Sequence, residues 1–290
     1  MLTLSFPKRQ GIASSNIIFR LCDQAKKTKD DEVFFDLSRS ESLTPFSTIM
    51  LAATISGCLE QRKKCKYAEP QKINLRKFLK EIRFYKFFGL NKSENKSESI
   101  TKNKVQLKRA TGIEPLLIDQ IIGVFAHYLN LSQGVKGSLR MSMQETMTNV
   151  VDHSKRQDYY VCAYAFRKSK QIRLCIVDLG VGILKSLKSS DRYNYLQDDY
   201  EAIMLSTNEG ISCRSERTGL GLNHIKKFIK VNEGQMCIIS GKGKIFWKFD
   251  HRKILQQSMA IPFEGTIVKL VINIDKEALY FLSSEKEYLI

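Results

Sequence analysis

Proline, histidine and tryptophan are scarce in this 290-residue chain, with five, four and one copies. So little proline leaves no room for a polyproline linker or a proline-rich docking segment. The histidines show no metal-ligand spacing, and His127, His224 and His251 read as structural residues. The seven cysteines, at 22, 58, 65, 162, 175, 213 and 237, are odd in number and form no CxxC pair. That argues against a disulfide framework or a zinc knuckle. Cys162, Cys175 and Cys237 fall in apolar, strand-like runs and read as small core residues. No stretch reaches the roughly eighteen apolar residues that a membrane span requires. The best candidate, PFSTIMLAATISGCL, is short and carries serine and threonine. The N-terminal MLTLSFPKRQ lacks the apolar core of a secretory signal. The expectation is a cytoplasmic protein with no membrane partner.

Acidic residues are also in deficit, 30 against 47 lysines and arginines, for a net charge of +17. Such an excess marks either a nucleic-acid surface or a surface that is simply rich in lysine. Here the lysines are interspersed with isoleucine, asparagine and serine and form no arginine-rich run, which favours the second reading and leaves nucleic acid as a secondary partner. In RKFLKEIRFYKFFGL the aromatics fit the inward face of an amphipathic helix better than a base-stacking platform.

With 43% hydrophobic residues the chain can build two cores. Residues 1 to 30 carry no clear pattern. VFFDLS reads as a buried strand ending at Asp36, SRSESLTP as a turn-rich connection, and FSTIMLAATISGCLEQRKKCK as a helix with a basic last turn. A second amphipathic helix, NLRKFLKEIRFYKFFGL, closes at Gly89. Residues 91–104 have the charged, serine-rich composition of a solvated linker. The division expected is a first domain over 1–90, a linker over 91–112 and a second domain over 113–290. In the second domain LLIDQIIGVFAHYLNLS is helical, YYVCAYAF and QIRLCIVD form a hairpin through RKSK, and Leu222–Glu233 is a helix capped by Gly234. QMCIIS, KIFWKF and GTIVKLVIN complete the pattern. The fold class is α/β, a two-layer sandwich with a mixed, mainly antiparallel sheet and helices on one face.

Three short motifs carry chemistry. In QETMTNVVDHS, Glu145, Asn149 and His153 are spaced by four and share one polar helix face. In CIVDLGVG an apolar run ends at Asp178, a carboxylate able to accept from an amine, and Gly180 and Gly182 follow at alternate positions, where glycine permits positive φ and close backbone approach. TGLGL places Gly219, Leu220 and Gly221 directly before a helix, and the free N–H groups of a helix start favour phosphate.

All three in this order, followed by Gly265-Thr266 entering a strand, resemble the GHKL family of ATP-binding proteins over about Pro115 to Ile274. The family includes type II topoisomerases, heat-shock chaperones, mismatch-repair ATPases, sensor histidine kinases and anti-sigma serine kinases. The resemblance implies the Bergerat-type sandwich, with ATP and Mg2+ as cofactors. It makes Asn149 the magnesium ligand and Glu145 the base that orients the attacking water, with Asp152 and His153 beside them. Asp178 would accept from the adenine amine with support from Thr266. Gly180, Gly182, Gly219, Leu220 and Gly221 would be the glycine-box positions, and Arg217 a phosphate contact. The segment between Gly182 and Gly219, with Gly210 as a hinge and Arg214 in it, would close over the nucleotide. More loosely, residues 30–90 resemble the STAS-type fold of anti-sigma-factor antagonists. Counting from Asp36 puts Phe46 at the phosphoacceptor place, with Thr44 and Ser47 nearby, so a docking role is expected there rather than phosphorylation.

These resemblances imply an ATPase whose nucleotide alters lid, homodimer or protein-partner contacts. The alternatives are a serine/threonine or histidine kinase of the anti-sigma type and a non-catalytic nucleotide-sensing module.

Overall fold

The computed structural model describes residues 1–9, 14–89, 102–153, 158–211 and 221–284. The chain divides into two units, Met1–Ser99 with Gln106–Lys108, and Ile100–Val105 with Arg109–Ile290.

In the first unit three parallel strands, β1 (Leu2–Ser5), β2 (Glu32–Asp36) and β3 (Lys64–Ala68), lie in the order β1-β2-β3. Parallel neighbours need long crossovers, supplied here by helices α1 (Ser14–Lys27) and α2 (Pro45–Glu60). The patternless residues 1 to 30 thus provide β1 and α1. Pro45 opens α2, the Thr44 hydroxyl accepts from the Ser47 N–H at 3.3 Å, and the Ser47 hydroxyl accepts from the Thr44 N–H at 2.7 Å. This reciprocal cap engages both hydroxyls nearest the position counted from Asp36, and Ser47 is wholly buried.

The helix expected to run through KCK stops at Glu60. Arg62 turns the chain with φ of 60°, and Lys64–Ala68 becomes an edge strand. Its outward lysines, Lys64 and Lys66, suit an edge that must not pair with another chain. The second expected helix is also divided, into α3 (Ile73–Glu81) and a 3-10 turn at Phe84–Phe88, because Arg83 takes φ of 57°. The aromatics pack inward as read: Phe88 lies 5.8 Å from Phe35 and 4.4 Å from Tyr67, centroid to centroid.

The second unit is built on strands β4 (Lys104–Thr111, of which Gln106–Lys108 group with the first unit), β5 (Asn130–Leu131), β6 (Asp158–Phe166), β7 (Gln171–Asp178), β8 (Gln235–Lys248), β9 (Lys253–Asn273) and β10 (Leu279–Tyr280). Five form one sheet in the order β4-β6-β7-β9-β8, and β5 pairs with β10. The β6–β7, β7–β9 and β8–β9 pairs are antiparallel. β4 occupies part of the expected 91–112 linker. Its alternation of buried Val105 and Leu107 with polar Gln106 and Lys108 is the signature of a half-buried strand, hidden by its lysines. The earlier part of that linker, 91–101, lies outside the described residues.

Helices α4 (Pro115–Tyr128), α5 (Gln133–His153), α6 (Ile183–Leu187), α7 (Asp199–Ser206) and α8 (Gly221–Val231) complete the unit. Side chains of α4, α5 and α8 share one core with Val161, Leu174, Ile176, Ile238, Val268 and Leu270 on one face of the sheet. On the other face Cys162, Val177, Ile239 and Ile267 are also fully buried. Burial of both faces is why YYVCAYAF and LCIV read as nearly unbroken apolar runs. QMCIIS and KIFWKF, expected as two strands, form the single strand β8, with its register irregular between Ser240 and Gly243. At the end of α8 the left-handed residue is Glu233, with φ of 54°. Gly234 is needed for another reason, since a Cβ there would run into the Val271 carbonyl. No described helix is long and apolar enough to cross a membrane.

Candidate functional site

Antiparallel register places one polar row at the end of the sheet. Asp178 on β7 lies opposite Tyr159 on β6 and Thr266 on β9, and Thr266 lies opposite Ser240 on β8. Directly opposed residues project to the same face. Tyr159 belongs to the helix-side core, so Asp178, Thr266 and Ser240 also face the helices. α5 passes over this end, because the Tyr159 hydroxyl donates to the Met147 sulfur at 3.7 Å.

Asp178 is 5% exposed. Its Oδ1 accepts from the Gly180 N–H at 2.8 Å, and Thr266 hydrogen-bonds the carboxyl through both side chain and backbone. None of these partners is a cation. Burial pushes its pKa up to about 6, with the Gly180 and Thr266 hydrogen bonds pulling the other way. A carboxylate held this way has good acceptors and, among the described residues, no ion pair, which suits a ligand that donates hydrogen bonds.

Gly182 and Gly265 earn their places by close packing. Gly182 has φ of +83°, and a Cβ there would lie 2.8 Å from Ser240 Oγ. Gly265 has φ of +116°, and its Cβ would strike the Asp178 carbonyl. Both conformations are open to glycine and strained for other residues. The glycine spacing read as room for a ligand therefore closes the chain onto itself at Gly182. Ser240 pins this turn: its hydroxyl accepts from the Ile183 N–H at 2.8 Å and donates to the Gly265 carbonyl at 3.0 Å. The sequence reading missed Ser240, although a polar residue closing the apolar run QMCII was a signal. Ser240→Ala should cost about 1–3 kcal/mol, since a buried carbonyl and a part-buried N–H lose a partner. Urea denaturation of the two proteins measures it.

α5, which meets this end of the sheet through Met147, carries Glu145 and Asn149, both partly exposed and one turn apart. Gly221, the first residue of α8, sits against the same helix face. A Cβ on it would lie 3.2 Å from Glu145 Cβ and 3.1 Å from the Ser142 carbonyl. Small size at Gly221 thus lets the start of α8 approach Glu145. Two further contacts fix α8 beside the end of α7. Asn223 donates to the Thr207 carbonyl at 3.0 Å, and Lys226 donates to the Thr207 hydroxyl at 3.0 Å. The Lys226 ammonium also lies 5.1 Å from the Trp247 ring, and burial lowers its pKa. α7 is held to β8 where the Asp199 carboxylate accepts from the Lys242 N–H at 2.8 Å.

The structure therefore groups Asp178, Gly180, Gly182 and Thr266 around one turn, and Glu145 with Gly221 where α5 meets α8. Asp152 and His153 fall in the last turn of α5, with side chains outside the described residues. Arg214, Arg217, Gly219 and Leu220 also lie outside the described residues. Gly210, read as a hinge, has φ of +75°. Among the described residues no cluster of three His, Cys, Asp or Glu side chains could hold a metal ion by itself.

No family model, curated protein or solved structure matches the chain.

Proposed function

We propose that the second unit binds Mg·ATP in the manner of the GHKL family and hydrolyses it to switch contacts with a protein partner or a second copy of the chain. The observation that carries this reading is Asp178: a buried carboxylate at a strand end, gripped by a turn amide and by Thr266 on the neighbouring strand, with no cation among those partners. Burying such a group is costly unless a ligand uses it. An adenine amine supplies the missing donor. Glu145 and Asn149 stand on the helix that crosses the same end of the sheet.

Magnesium fits this site as an ion brought in with the triphosphate. It takes few protein ligands and keeps phosphate and water oxygens, so the Asn149 amide oxygen would suffice on the protein side. When bound it neutralises charge on the phosphates. Glu145 would hold and orient the attacking water, and the α8 start at Gly221 would offer backbone N–H groups to phosphate. The finer resemblance of the first unit to STAS-type proteins belongs to the same reading, with that unit as a docking module.

Titration calorimetry tests the binding step. ATP with magnesium should release heat at a single site per chain, and chelating the magnesium should weaken binding. Asn149→Ala should weaken Mg·ATP binding by at least about tenfold, the loss that even an outer-shell metal partner produces, and should remove the response to magnesium. Absence of heat with every adenine nucleotide would overturn the proposal.

A further inference from the structure

The sheet of the second unit has two faces, and the nucleotide reading uses only the one beneath the helices. Ile176, Val268 and Ile238 belong to the helix-side core, so alternate residues of β7, β9 and β8 project the other way. Register sorts them into rows. One row holds Tyr164 on β6, Arg173 on β7 and Val271 on β9, and the next holds Cys162, Cys175, Lys269 and Cys237. Beyond the irregular stretch of β8 the alternation is reversed, because Ile245 and Trp247 enter the helix-side core. Lys244, Phe246 and Lys248 therefore join the second face, with Gln257, Leu255 and Lys253 opposite them on β9.

The charge on this face is almost entirely of one sign. Its cations are Arg173, Lys244, Lys248, Lys253 and Lys269. Among the described residues, the one carboxylate that the alternation of β6, β7, β8 and β9 places there is Asp158, and it accepts from Arg109 at 2.6 Å. Lys244 is buried, donates to the Gln257 side chain at 3.0 Å and adds to the field rather than to contact. The other four reach solvent. Rings lie among them: the Tyr164 and Phe166 centroids are 4.9 Å apart, the Arg173 guanidinium is 5.0 Å from the Phe166 ring, and the Lys248 ammonium is 5.3 Å from the Phe246 ring. All three rings are partly exposed. Near Asp178 the face is closed, since Val177, Ile239 and Ile267 are buried.

Cations alone would suit any acidic surface. Rings and cations side by side at solvent suit a chain that carries phosphates and unpaired bases together, whereas a duplex keeps its base faces stacked within itself. We propose that this face binds single-stranded nucleic acid, with phosphates at Arg173, Lys248, Lys253 and Lys269 and bases stacked on Tyr164, Phe166 and Phe246. Along the sequence these cations are interspersed with neutral residues, and strand pairing collects them on one surface.

The full chain, without nucleotide or magnesium, is titrated into fluorescein-labelled oligothymidylate and oligouridylate of about 16 nucleotides, the upper size of a single-domain site. Fluorescence anisotropy is followed at several salt concentrations. Affinity should fall with salt at a log–log slope of about −3, roughly 0.7 for each phosphate contact. Lys248→Gln with Lys253→Gln should reduce the size of that slope by about 1.4. Lys26→Gln with Lys27→Gln, which removes equal charge from the exposed end of α1, should leave it unchanged. Phe166→Ala should weaken binding about 5- to 150-fold, the loss of one base stack, while circular dichroism shows the fold retained. The proposal is overturned if single strands do not bind, if the Lys248 and Lys253 pair lowers the slope no more than the α1 pair does, or if Phe166→Ala binds as tightly as the wild type. A duplex of the same length that binds as tightly, or phosphatidylserine vesicles or polyglutamate bound in place of single strands, overturns it too. ATP plays no part in these readouts, so their failure leaves the nucleotide proposal standing.

Discussion

Asp178→Asn is expected to weaken adenine-nucleotide binding by about 100- to 1,000-fold while making the folded protein more stable at neutral pH. The first effect follows from hydrogen-bond polarity. The carboxylate presents two acceptors, and the Gly180 N–H and Thr266 already use part of that capacity. Asparagine turns one acceptor into a donor. The Thr266 hydroxyl rotates and accepts from it, but a ligand amine cannot, so two donors face each other at a cost of about 3–4 kcal/mol.

The stability gain follows from linkage. The folded chain holds the Asp178 proton up to about pH 6, while an unfolded aspartate releases its proton near its ordinary value of 3.8. Between these values the folded state binds more protons, so the stability contributed by this group is full below the lower value and falls as pH rises to about 6. That separation corresponds to about 3 kcal/mol at pH 7. Asparagine carries no charge to bury, so the variant's excess stability should grow from pH 4 to pH 6 and then level off. Urea midpoints of both proteins across that range measure it. A destabilised variant with unchanged nucleotide affinity would mark Asp178 as purely structural. The same sign governs binding: the amine needs the ionised form, so wild-type affinity should fall below pH 6, by at most about tenfold per unit.

Glu145→Ala should lower phosphate release from ATP by about 100- to 10,000-fold, the range associated with a positioned general base, while the dissociation constant for Mg·ATP changes little. Its side chain is partly exposed on α5, and its Cβ neighbours Gly221 at the start of α8, so truncation opens no core cavity. Rapid-quench assays with labelled ATP give turnover, and calorimetry gives affinity on the same samples. If label instead accumulates on a protein side chain with little free phosphate, the chemistry is phosphotransfer and the kinase alternative takes precedence. Unchanged phosphate release in the variant would remove Glu145 from the reaction.

Local pattern made much of the second unit legible. Long periodic segments such as Pro115–Tyr128 and the Asp158–Asp178 hairpin form where apolar spacing puts them, because burying one stripe or two sheet faces dictates the residues used. The spacing of Glu145 and Asn149 on one helix face was equally readable. Less legible were elements whose partners lie far off in sequence. Lys64–Ala68 is a strand only because β2 stands beside it, and β4 only because β6 does. The lysines of the first read as a basic last turn of the preceding helix, and β4 fell within the stretch expected to be a linker.

The sequence by itself determined which residue types stand at the proposed site: a carboxylate at 178 closing an apolar strand, an amide at 149, and a glycine at 182 where left-handed backbone was needed. Only the tertiary structure decided why that glycine is required and which residue locks it. Sheet register brings Asp178, Thr266 and Ser240 into one row, and Ser240 bonds Ile183 and Gly265 from 57 and 25 residues away. Contacts of that span depend on strand pairing rather than on local spacing, since register is fixed by burial across the whole sheet.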